Sequence, residues 1–328
     1  MRGEPRGGWG WARVRGLVTV SGSVSGTPPS IVPGIALAVG LALALAVAPA
    51  RAHAQLAAEC SGSIATPELL SGCANAVDGL LGTRDGLGVG HSLAAALPGS
   101  ASALGRRFGA TPRVAVSGRM GIVRFDRAVP DSWSTREAGS GWTPVFGAQI
   151  GVGAFGGFSV APTIGGVLAL DLIGDVSTIR LPSGDGFDGA SLAWGYGVRI
   201  GLIRESFTLP GVSLSILRRS GASFAQEGTE GSLDADVATT SIRAALGKEL
   251  LGLGFHGGAG WDRVSAEGTL EVTPAGGAGP GVTFSDVASA RFVVFGGVTR
   301  TFLITSLGAD FGWSDGVAFG SVSLRLTL

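Results

Sequence analysis

The sequence has little charge and almost no lysine. Only 15% of its 328 residues are Asp, Glu, Lys or Arg, and Lys248 is the single lysine. The basic side chains form no cluster beyond the neighbouring pairs Arg106-Arg107 and Arg218-Arg219. Because nucleic-acid binding needs a basic patch or stripe, this composition predicts no nucleic-acid partner.

Cysteine and histidine are also scarce, with two and three residues respectively. Cys60 and Cys73 lie close in sequence, and in an exported chain such a pair predicts a disulfide that closes a short loop. With no further cysteine and no nearby pair of histidines, we expect no metal site. The many glycine motifs lack the following helix and lysine of a phosphate-binding loop, so we expect no cofactor.

Long hydrophobic runs are confined to the beginning of the chain. Residues 35–48 form a Leu/Ala/Val run of signal-peptide length behind an arginine-containing region, and residues 52–54 offer small side chains at a cleavage site. We predict a signal peptide over residues 1–54, with an uncleaved signal anchor as the alternative. Without the five arginines and one glutamate of this leader, 19 basic and 23 acidic side chains remain, a net charge near −4.

Beyond residue 54 the apolar content is high but dispersed. Hydrophobic residues make up 45% of the chain and 58 residues are glycine. No later stretch reaches the roughly 18 uninterrupted apolar residues that a membrane helix needs. Short segments of alternating apolar and polar residues carry the hydrophobicity instead, which is typical of a membrane β-barrel.

The alternation is clearest over residues 316–328. One face carries Ala318, Gly320, Val322, Leu324, Leu326 and Leu328, and the other carries Phe319, Ser321, Ser323, Arg325 and Thr327. This pattern predicts a strand with one apolar and one polar face. A chain that closes on such a strand behind a secretory leader resembles the Gram-negative outer-membrane β-barrels, although Leu328 stands in place of their usual terminal aromatic residue. The resemblance implies the cell outer membrane as the location. It also implies a lipid bilayer and the barrel-assembly machinery as partners, the latter through the C-terminal strand.

Nine further alternating segments precede this strand. They fall near residues 113–122, 142–154, 168–172, 190–202, 212–216, 240–246, 251–261, 288–298 and 303–313. We predict an all-β fold in which residues 113–328 form an antiparallel up-and-down transmembrane barrel of about ten strands. A twelve-stranded barrel that recruits residues 85–109 is the alternative, and both counts are even, as in single-chain bacterial barrels. A soluble β-sandwich or lipocalin-like barrel is disfavoured because soluble surfaces rarely carry so few charges.

The connections and the tryptophans predict how the barrel is oriented. With the N-terminus in the periplasm, the outer connections fall at residues 126–141, 181–189, 220–236 and 264–286, and the inner ones are shorter. The last outer turn, residues 314–316, is tight. Trp142, Trp194, Trp261 and Trp313 lie toward the outer strand ends, where the aromatic belt of a membrane interface is expected.

The face predicted to meet lipid has no charged side chain in its central span, where an arginine costs about 2 to 4 kcal/mol. The charged residues lie on the opposite face instead. The predicted lumen-facing polar residues are Arg119, Asp171, Asp175, Arg199, Arg243, His256, Asp262, Arg291, Asp310 and Arg325. Since this set is nearly balanced in charge, we expect its members to pair across a narrow interior.

Residues 55–112 differ from the rest of the mature chain. Thr66-Pro67-Glu68 has the capping hydroxyl, the proline and the acid of a helix start. Apolar residues then follow helical spacing up to Leu81, and Gly82 is the predicted stop. The remainder is rich in small residues and leaves open a second short helix, a plug inside the barrel or an extra strand pair. We predict a periplasmic or plug segment that contains the helix and the disulfide.

Two functions fit this architecture. The first is a narrow passive channel or small-molecule uptake barrel, in which residues 55–112 act as a plug or gate and a small solute is the partner. The alternative is a closed structural or adhesive barrel that acts through extracellular loops such as the acidic segment 226–236. A membrane-embedded hydrolase is less favoured, because no Ser or Asp stands at a motif spacing around His256, the only barrel histidine. We therefore predict no enzyme and no catalytic residues.

Overall fold

The computed structural model describes residues 60, 67–93, 101–107, 111–128, 138–160, 165–229, 231–272 and 281–328. The predicted signal peptide, residues 1–54, lies outside the described residues. Helix α1 spans Pro67–Ser92 and is followed by a two-stranded ribbon of β1 (Arg106–Arg107) and β2 (Thr111–Pro112). Among the described helices, none combines the length and the hydrophobicity needed to cross a bilayer.

Ten strands form one closed antiparallel barrel. They are β3 (Val114–Ala128), β4 (Ala138–Phe155), β5 (Ala169–Arg180), β6 (Ala190–Ile203), β7 (Gly211–Gly228), β8 (Gly231–Leu250), β9 (Leu253–Val272), β10 (Gly281–Phe302), β11 (Thr305–Ser314) and β12 (Val317–Thr327). Each pairs with its neighbours in sequence, and β12 pairs with β3 to close the barrel. The predicted ten-stranded barrel is confirmed. The twelve-stranded alternative is wrong, because residues 85–92 are helical and the β1–β2 ribbon forms a separate sheet.

Alternation gives the wall its two faces. On β3, Val116, Met120 and Ile122 are exposed on the outside, whereas Ser117 and Val123 are buried inside. The same pattern continues around the barrel, so that the outer surface is a band of large apolar side chains. Its exposed members include Phe146, Ile150, Leu172, Val176, Leu192, Leu246, Phe255, Val294, Leu307, Phe311, Val322, Leu324 and Leu326. Except for Val176, which lies beyond the predicted segment 168–172, these are side chains that the sequence predicts to face lipid.

The strands of the barrel differ in length, so the two ends of the barrel differ in shape. β7 to β10 have 18 to 22 residues, whereas β11 and β12 have 10 and 11. The long strands project beyond their neighbours at one end, which we call the extended end. At the opposite, terminal end, the backbone of Val114 at the start of β3 pairs with that of Leu328 at distances of 2.8 and 3.1 Å.

Two of the predicted outer connections are therefore largely strand. Most of residues 220–236 belongs to the β7–β8 pair, and Asp236 pairs in register with Ser223 and Glu267. The described parts of 264–286 continue β9 and β10. The predicted tight turn near residue 315 is present, because only residues 315 and 316 separate β11 from β12.

Helix α1 lies inside the barrel and packs against its inner wall, mainly β3, β8 and β9. Near its start, a Cβ at Gly72 is placed 3.5 Å from Val272, which lies at the extended end. After the helix, Ala101 and Ser102 come close to Gly247 and Gly211 near the terminal end. The segment therefore runs through the lumen from the extended end toward the terminal end.

The main hydrophobic core lies between this helix and the extended half of the wall. Its buried members on the helix side are Cys60, Cys73, Ala76, Val77, Leu80, Leu87 and Val89. Those on the wall include Val123, Val145, Ile179, Phe224, Leu233, Val264, Leu270, Val282, Phe284 and Val287. A smaller apolar cluster of Leu104, Ala115, Ile173 and Leu217 lies closer to the terminal end. The interior of the barrel is thus a packed core.

The predicted end of helix α1 at Gly82 is wrong, because the helix continues ten residues further to Ser92. Gly88 and Gly90 let it approach the wall: a Cβ at Gly88 is placed 2.4 Å from Cγ2 of Val264, and one at Gly90 is placed 2.6 Å from Cδ1 of Ile179. Glycine lowers intrinsic helix propensity by about 1 kcal/mol. The contacts with the wall outweigh this cost, since tertiary packing supplies most of the stability of helices in proteins.

Candidate functional site

The candidate site is the lumen, where an N-terminal segment meets the charged inner wall. We call this segment, residues 67–93 and 101–105, the plug. Its first polar attachment is Asp85 on helix α1, whose Oδ2 lies 2.9 Å from Nη2 of Arg291 on β10. Oδ1 of the same carboxylate accepts hydrogen bonds from Ser289 Oγ at 2.9 Å and from Arg84 Nη2 at 2.7 Å. Arg84 Nη1 also donates to the carbonyl oxygen of Val287 at 3.0 Å.

The second attachment is the last turn of helix α1. Ser92 Oγ donates to Asp262 Oδ2 at 2.9 Å, and Arg243 Nη2 donates to the same oxygen at 2.7 Å. One residue earlier, the two ring nitrogens of His91 lie 2.8 Å from Ser177 Oγ and 3.3 Å from Ser191 Oγ. Arg243 Nη2 also donates to Ser92 Oγ at 3.3 Å. The helix end is thus hydrogen-bonded to wall side chains from four strands, which fixes its depth in the lumen.

The third attachment holds the chain after the helix. Asp171 on β5 accepts hydrogen bonds from the backbone amides of Leu104, at 2.8 Å, and Gly105, at 3.0 Å. Arg199, its register partner on β6, donates to the same carboxylate from Nε at 3.0 Å and from Nη2 at 2.9 Å. A carboxylate that accepts from two amides and a guanidinium is a strong, charge-assisted clamp. Here it ties the plug to two adjacent strands.

The remaining inner-wall charges pair with each other or with hydroxyl groups of the wall. Asp175 Oδ2 accepts from Arg219 Nε at 2.8 Å. Asp310 lies 2.6 Å from His256 Nε2 and 3.8 Å from Arg119 Nη2.

Arg325 Nη2 donates to Ser306 Oγ at 3.4 Å. The structure therefore places all ten sequence-predicted lumen residues on the inner face and brings most of them into pairs or clusters.

Sequence reasoning missed five polar residues of this network, namely Arg84, Asp85, His91, Ser92 and Arg219. A local signal existed for Arg219, since alternation along β7 puts it on the inner face with Ser215 and Leu217. No comparable signal existed for the four helical residues. Their partners are wall residues that lie 86 to 204 positions away in the chain.

The lumen is closed at the level of these clusters. Asp171 and Asp262 have no solvent-accessible surface, and Arg199 is only 1% exposed. A water-filled channel leaves such side chains wet, whereas at Asp171 two backbone amides and Arg199 take the place of water. Among the described residues, no group of three or more His, Cys, Asp and Glu side chains is placed to hold a metal ion.

The predicted interface aromatics lie on the outer surface. Trp142, Trp194 and Trp313 are about half exposed there, and Trp194 stacks on Tyr196 with a centroid distance of 6.1 Å. Trp261 packs edge-on against Phe292 at 5.3 Å. All these rings belong to the half of the wall that leads to the extended end.

The predicted disulfide between Cys60 and Cys73 is confirmed. It links a residue ahead of helix α1 to the second turn of that helix, and both cysteines are buried in the main core. Because Gly72 next to Cys73 lies beside Val272, the bridge belongs to the extended end of the lumen.

A closed antiparallel barrel with an apolar outer band and flanking exposed aromatic rings has the architecture of an outer-membrane β-barrel. The chain belongs to this class, and its location is the outer membrane. No protein-family model matches the sequence, and no curated protein matches it either.

Several solved structures resemble the barrel. The translocator domain of the autotransporter NalP from Neisseria meningitidis is 13% identical, with a TM-score of 0.35 over 74% of this chain and 94% of that chain. The β domain of the Bordetella autotransporter Brka is 13% identical, with a TM-score of 0.33 over 66% and 99%. The toluene transporter TodX from Pseudomonas putida is 10% identical, with a TM-score of 0.29 over 70% and 95%. Likeness at this level concerns the fold alone and carries no argument about function.

Proposed function

We propose that the protein is an outer-membrane barrel that its own N-terminal segment holds closed, and that it acts through its extended end. The observation that carries this proposal is the plug, which occupies the lumen and is attached to the wall at Asp85, Ser92 and the Leu104–Gly105 backbone. A constitutively open pore has no use for a packed interior. In a closed barrel, a packed interior stabilises the wall and keeps the outer surface rigid.

The extended end faces the outside in this proposal, because the strand termini and short turns of bacterial barrels lie in the periplasm. The projecting part of β7 to β9 then presents an acidic outer face. Its exposed carboxylates are Glu227, Asp234, Asp236, Glu267 and Glu271. Asp236 and Glu267 are direct register partners, although like charges in that position are destabilising. Such a face suits a cationic surface or partner, which supports an adhesive or structural role.

Assembly is proposed to follow the route of other bacterial barrels. β12 carries the alternating apolar positions and forms the closing seam with β3. We propose that the barrel-assembly machinery recognises this strand before the seam closes. We also propose that the protein is no hydrolase, so that replacing His256 with Ala leaves unchanged any hydrolysis measured in the purified protein.

A gated channel for a small solute is the second candidate. The observation that favours it is the polar character of the plug attachments, in which carboxylates and hydroxyls join the plug to the wall. Hydrogen bonds to charged groups such as these contribute about 1.5 to 3 kcal/mol each, and their partners can bind water instead when they separate. Part of the plug is therefore held by contacts that water can replace.

Single-channel conductance of the refolded mature chain, residues 55–328, tests the proposal after a heat-shifted gel band verifies folding. We expect no current steps from the intact protein, and discrete steps after deletion of residues 55–105. A second variant, D171N with D262N, keeps the plug in the chain but weakens two attachments, and we expect occasional openings from it.

Frequent current steps from the intact, folded protein contradict the closed-barrel proposal and favour the channel. Silence from a deletion variant that is verified to be folded shows that the plug is not what closes the lumen. The adhesive role is tested separately, by the binding of cells or vesicles that display the barrel to a cationic surface. We expect the combined variant D234N, D236N, E267Q and E271Q to reduce that binding.

A further inference from the structure

Two arginines stand on the lipid-facing side of the wall near the extended end. Arg218 on β7 and Arg263 on β9 are both register partners of Thr240, which lies between them on β8. Adjacent strands are about 4.8 Å apart, so the two arginine Cα atoms are separated by about 10 Å. Their side chains therefore flank the same small area of the outer surface.

That area is a cavity of about 350 Å³. Its polar lining consists of the two arginines with Thr240, Ser265 and Asp286, and its apolar lining includes Trp261. A basic pocket with one aromatic wall suits a ligand that has an anionic head and an apolar body.

The positive charge of this pocket is only weakly compensated. Arg263 Nη2 lies 3.7 Å from Asp286 Oδ2, and both side chains are mostly exposed, at 53% and 73%. Exposed pairs of this kind contribute little to stability. Arg218 is exposed, and within the described part of the chain no ion pair or hydrogen bond engages its side chain. Two guanidinium groups are thus available to an external anion.

The position of the pocket on the wall points to a lipid headgroup. Arg218 is the register partner of Tyr196, which stacks on Trp194, and Trp261 lies two residues before Arg263 on the same outer face. Tryptophan and tyrosine rings on a membrane barrel mark the level of the headgroups. An uncompensated arginine at the bilayer midplane costs about 2 to 4 kcal/mol, and this cost falls to near zero at the interface.

From this geometry we propose that the Arg218–Arg263 pocket binds the phosphate group of an anionic membrane lipid. Arginine forms bidentate, charge-assisted hydrogen bonds with phosphate, and two arginines about 10 Å apart grip one phosphate from opposite sides. The Thr240 hydroxyl lies beneath the phosphate, and Trp261 contacts the apolar part of the lipid. The pocket would fix the depth of the barrel in the membrane whether the lumen is open or closed.

Native mass spectrometry of the full mature protein tests this proposal. The protein is refolded into phosphatidylcholine nanodiscs that contain a small fraction of phosphatidic acid, a lipid with a phosphate monoester, and retained lipids are counted. We expect phosphatidic acid to be retained about tenfold more often than its share of the bilayer predicts, which corresponds to about 1.4 kcal/mol. The variant R218Q with R263Q is expected to lose this preference, and R218K with R263K to keep part of it.

Arg124 provides the matched control, since it is an exposed arginine on the outer face of β3 whose register partners are Trp142 and Ala318. R124Q is expected to retain phosphatidic acid as the unchanged protein does. Absence of any preference in the unchanged protein overturns the proposal, as does a preference that survives R218Q with R263Q. Displacement of the lipid by low millimolar inorganic phosphate also overturns it, because the pocket then binds soluble anions instead of a lipid.

Discussion

The two halves of the lumen are built differently. In the extended half, the wall turns apolar side chains such as Leu233, Val264 and Leu270 toward helix α1. In the terminal half, inward residues such as Asp171 and Arg199 are charged, and they hold the plug through directional bonds. Apolar burial is strong but non-directional, whereas hydrogen-bonded charges specify position. One half therefore holds the plug in the lumen, and the other sets its depth and register.

The outer rims show a matching contrast. Among the described residues near the extended end, those other than glycine that have positive φ are the aspartates Asp286, within β10, and Asp315. At the terminal end they are leucines, namely Leu168, Leu251 and Leu303, and the last two are fully exposed. Aspartate suits both the backbone conformation and water, but leucine suits neither. The difference indicates that the two rims meet different surroundings. In the proposed orientation, the turns of the terminal rim border the membrane interior at its periplasmic boundary, whereas those of the extended rim meet water.

Removing a charge from the terminal half of the lumen, which we call the polar half, is expected to have the largest effect on the free energy of unfolding. D171N removes the charge that faces Arg199 and disturbs the bonds to the Leu104 and Gly105 amides. Removal of one partner of a buried ion pair costs about 3 to 5 kcal/mol. We expect a loss of this order in the free energy of unfolding, measured by urea titration of the lipid-refolded protein. D234N, which changes an exposed aspartate of β8, serves as the control and is expected to have almost no effect.

If D171N is as stable as the unchanged protein, the polar half does not position the plug. In that case the apolar half alone accounts for the closed lumen. The rate of protease cleavage within residues 94–110 is a second measurement. A released segment is expected to be cut faster in D171N than in the unchanged protein, even if the barrel itself stays folded.

A matched pair of glycine substitutions tests the apolar half. G88A and G72A both add a methyl group to helix α1, and each raises helix propensity by about 1 kcal/mol. At Gly72 the new atom makes an ordinary contact with Val272, at 3.5 Å, whereas at Gly88 it is placed 2.4 Å from the stiff side chain of Val264. Overpacking of this kind costs about 1 to 3 kcal/mol. We expect G72A to stabilise the protein by less than about 1 kcal/mol and G88A to destabilise it by about 1 to 2 kcal/mol.

Equal effects of the two substitutions on the unfolding midpoint contradict a close contact between Gly88 and Val264. A destabilised G88A that is rescued by V264A supports that contact directly. The double variant is informative because the interaction energy of a contacting pair appears as non-additivity.

Sequence reasoning succeeded where the pattern is local. Alternation along each strand determines which side chains face outward, so the ten strands and the inner charged set were predictable from residues such as Met120 and Asp171. Sequence reasoning failed where the strand pattern becomes apparent only once the element that packs against the strand is known. Residues 220–236 and 264–286 carry polar residues on the outer face, which is typical of loops. Their inner faces, with Leu233 and Leu270, match strands only because helix α1 covers them.

The plug contacts were not predictable for the same reason. Asp85 and Arg291 lie on elements far apart in sequence, and no local period connects them. The glycines of helix α1 gave a misleading signal, since they reduce propensity in isolation but permit the approach to Val264 in the folded lumen. When a helix packs inside a barrel, its most specific contacts join residues far apart in sequence. The pattern within a single segment therefore cannot predict them.

The smallest expected effect concerns the terminal rim, at the two-residue turn of Leu251 and Gly252. Both residues have positive φ, 53° and 76°, which is the geometry of a turn that favours Asn-Gly. L251N therefore relieves backbone strain of about 1 kcal/mol. If the rim faced water, the variant would be more stable by that amount. We expect the reverse, a loss of about 1 kcal/mol in lipid bilayers, because a fully exposed leucine contributes about 1.5 to 3 kcal/mol when an apolar medium covers it.

The control is D315N, at the corresponding turn of the extended end, which is expected to leave stability unchanged. Urea titration of both variants in the same bilayers measures the free energy of unfolding and decides which environment each rim meets.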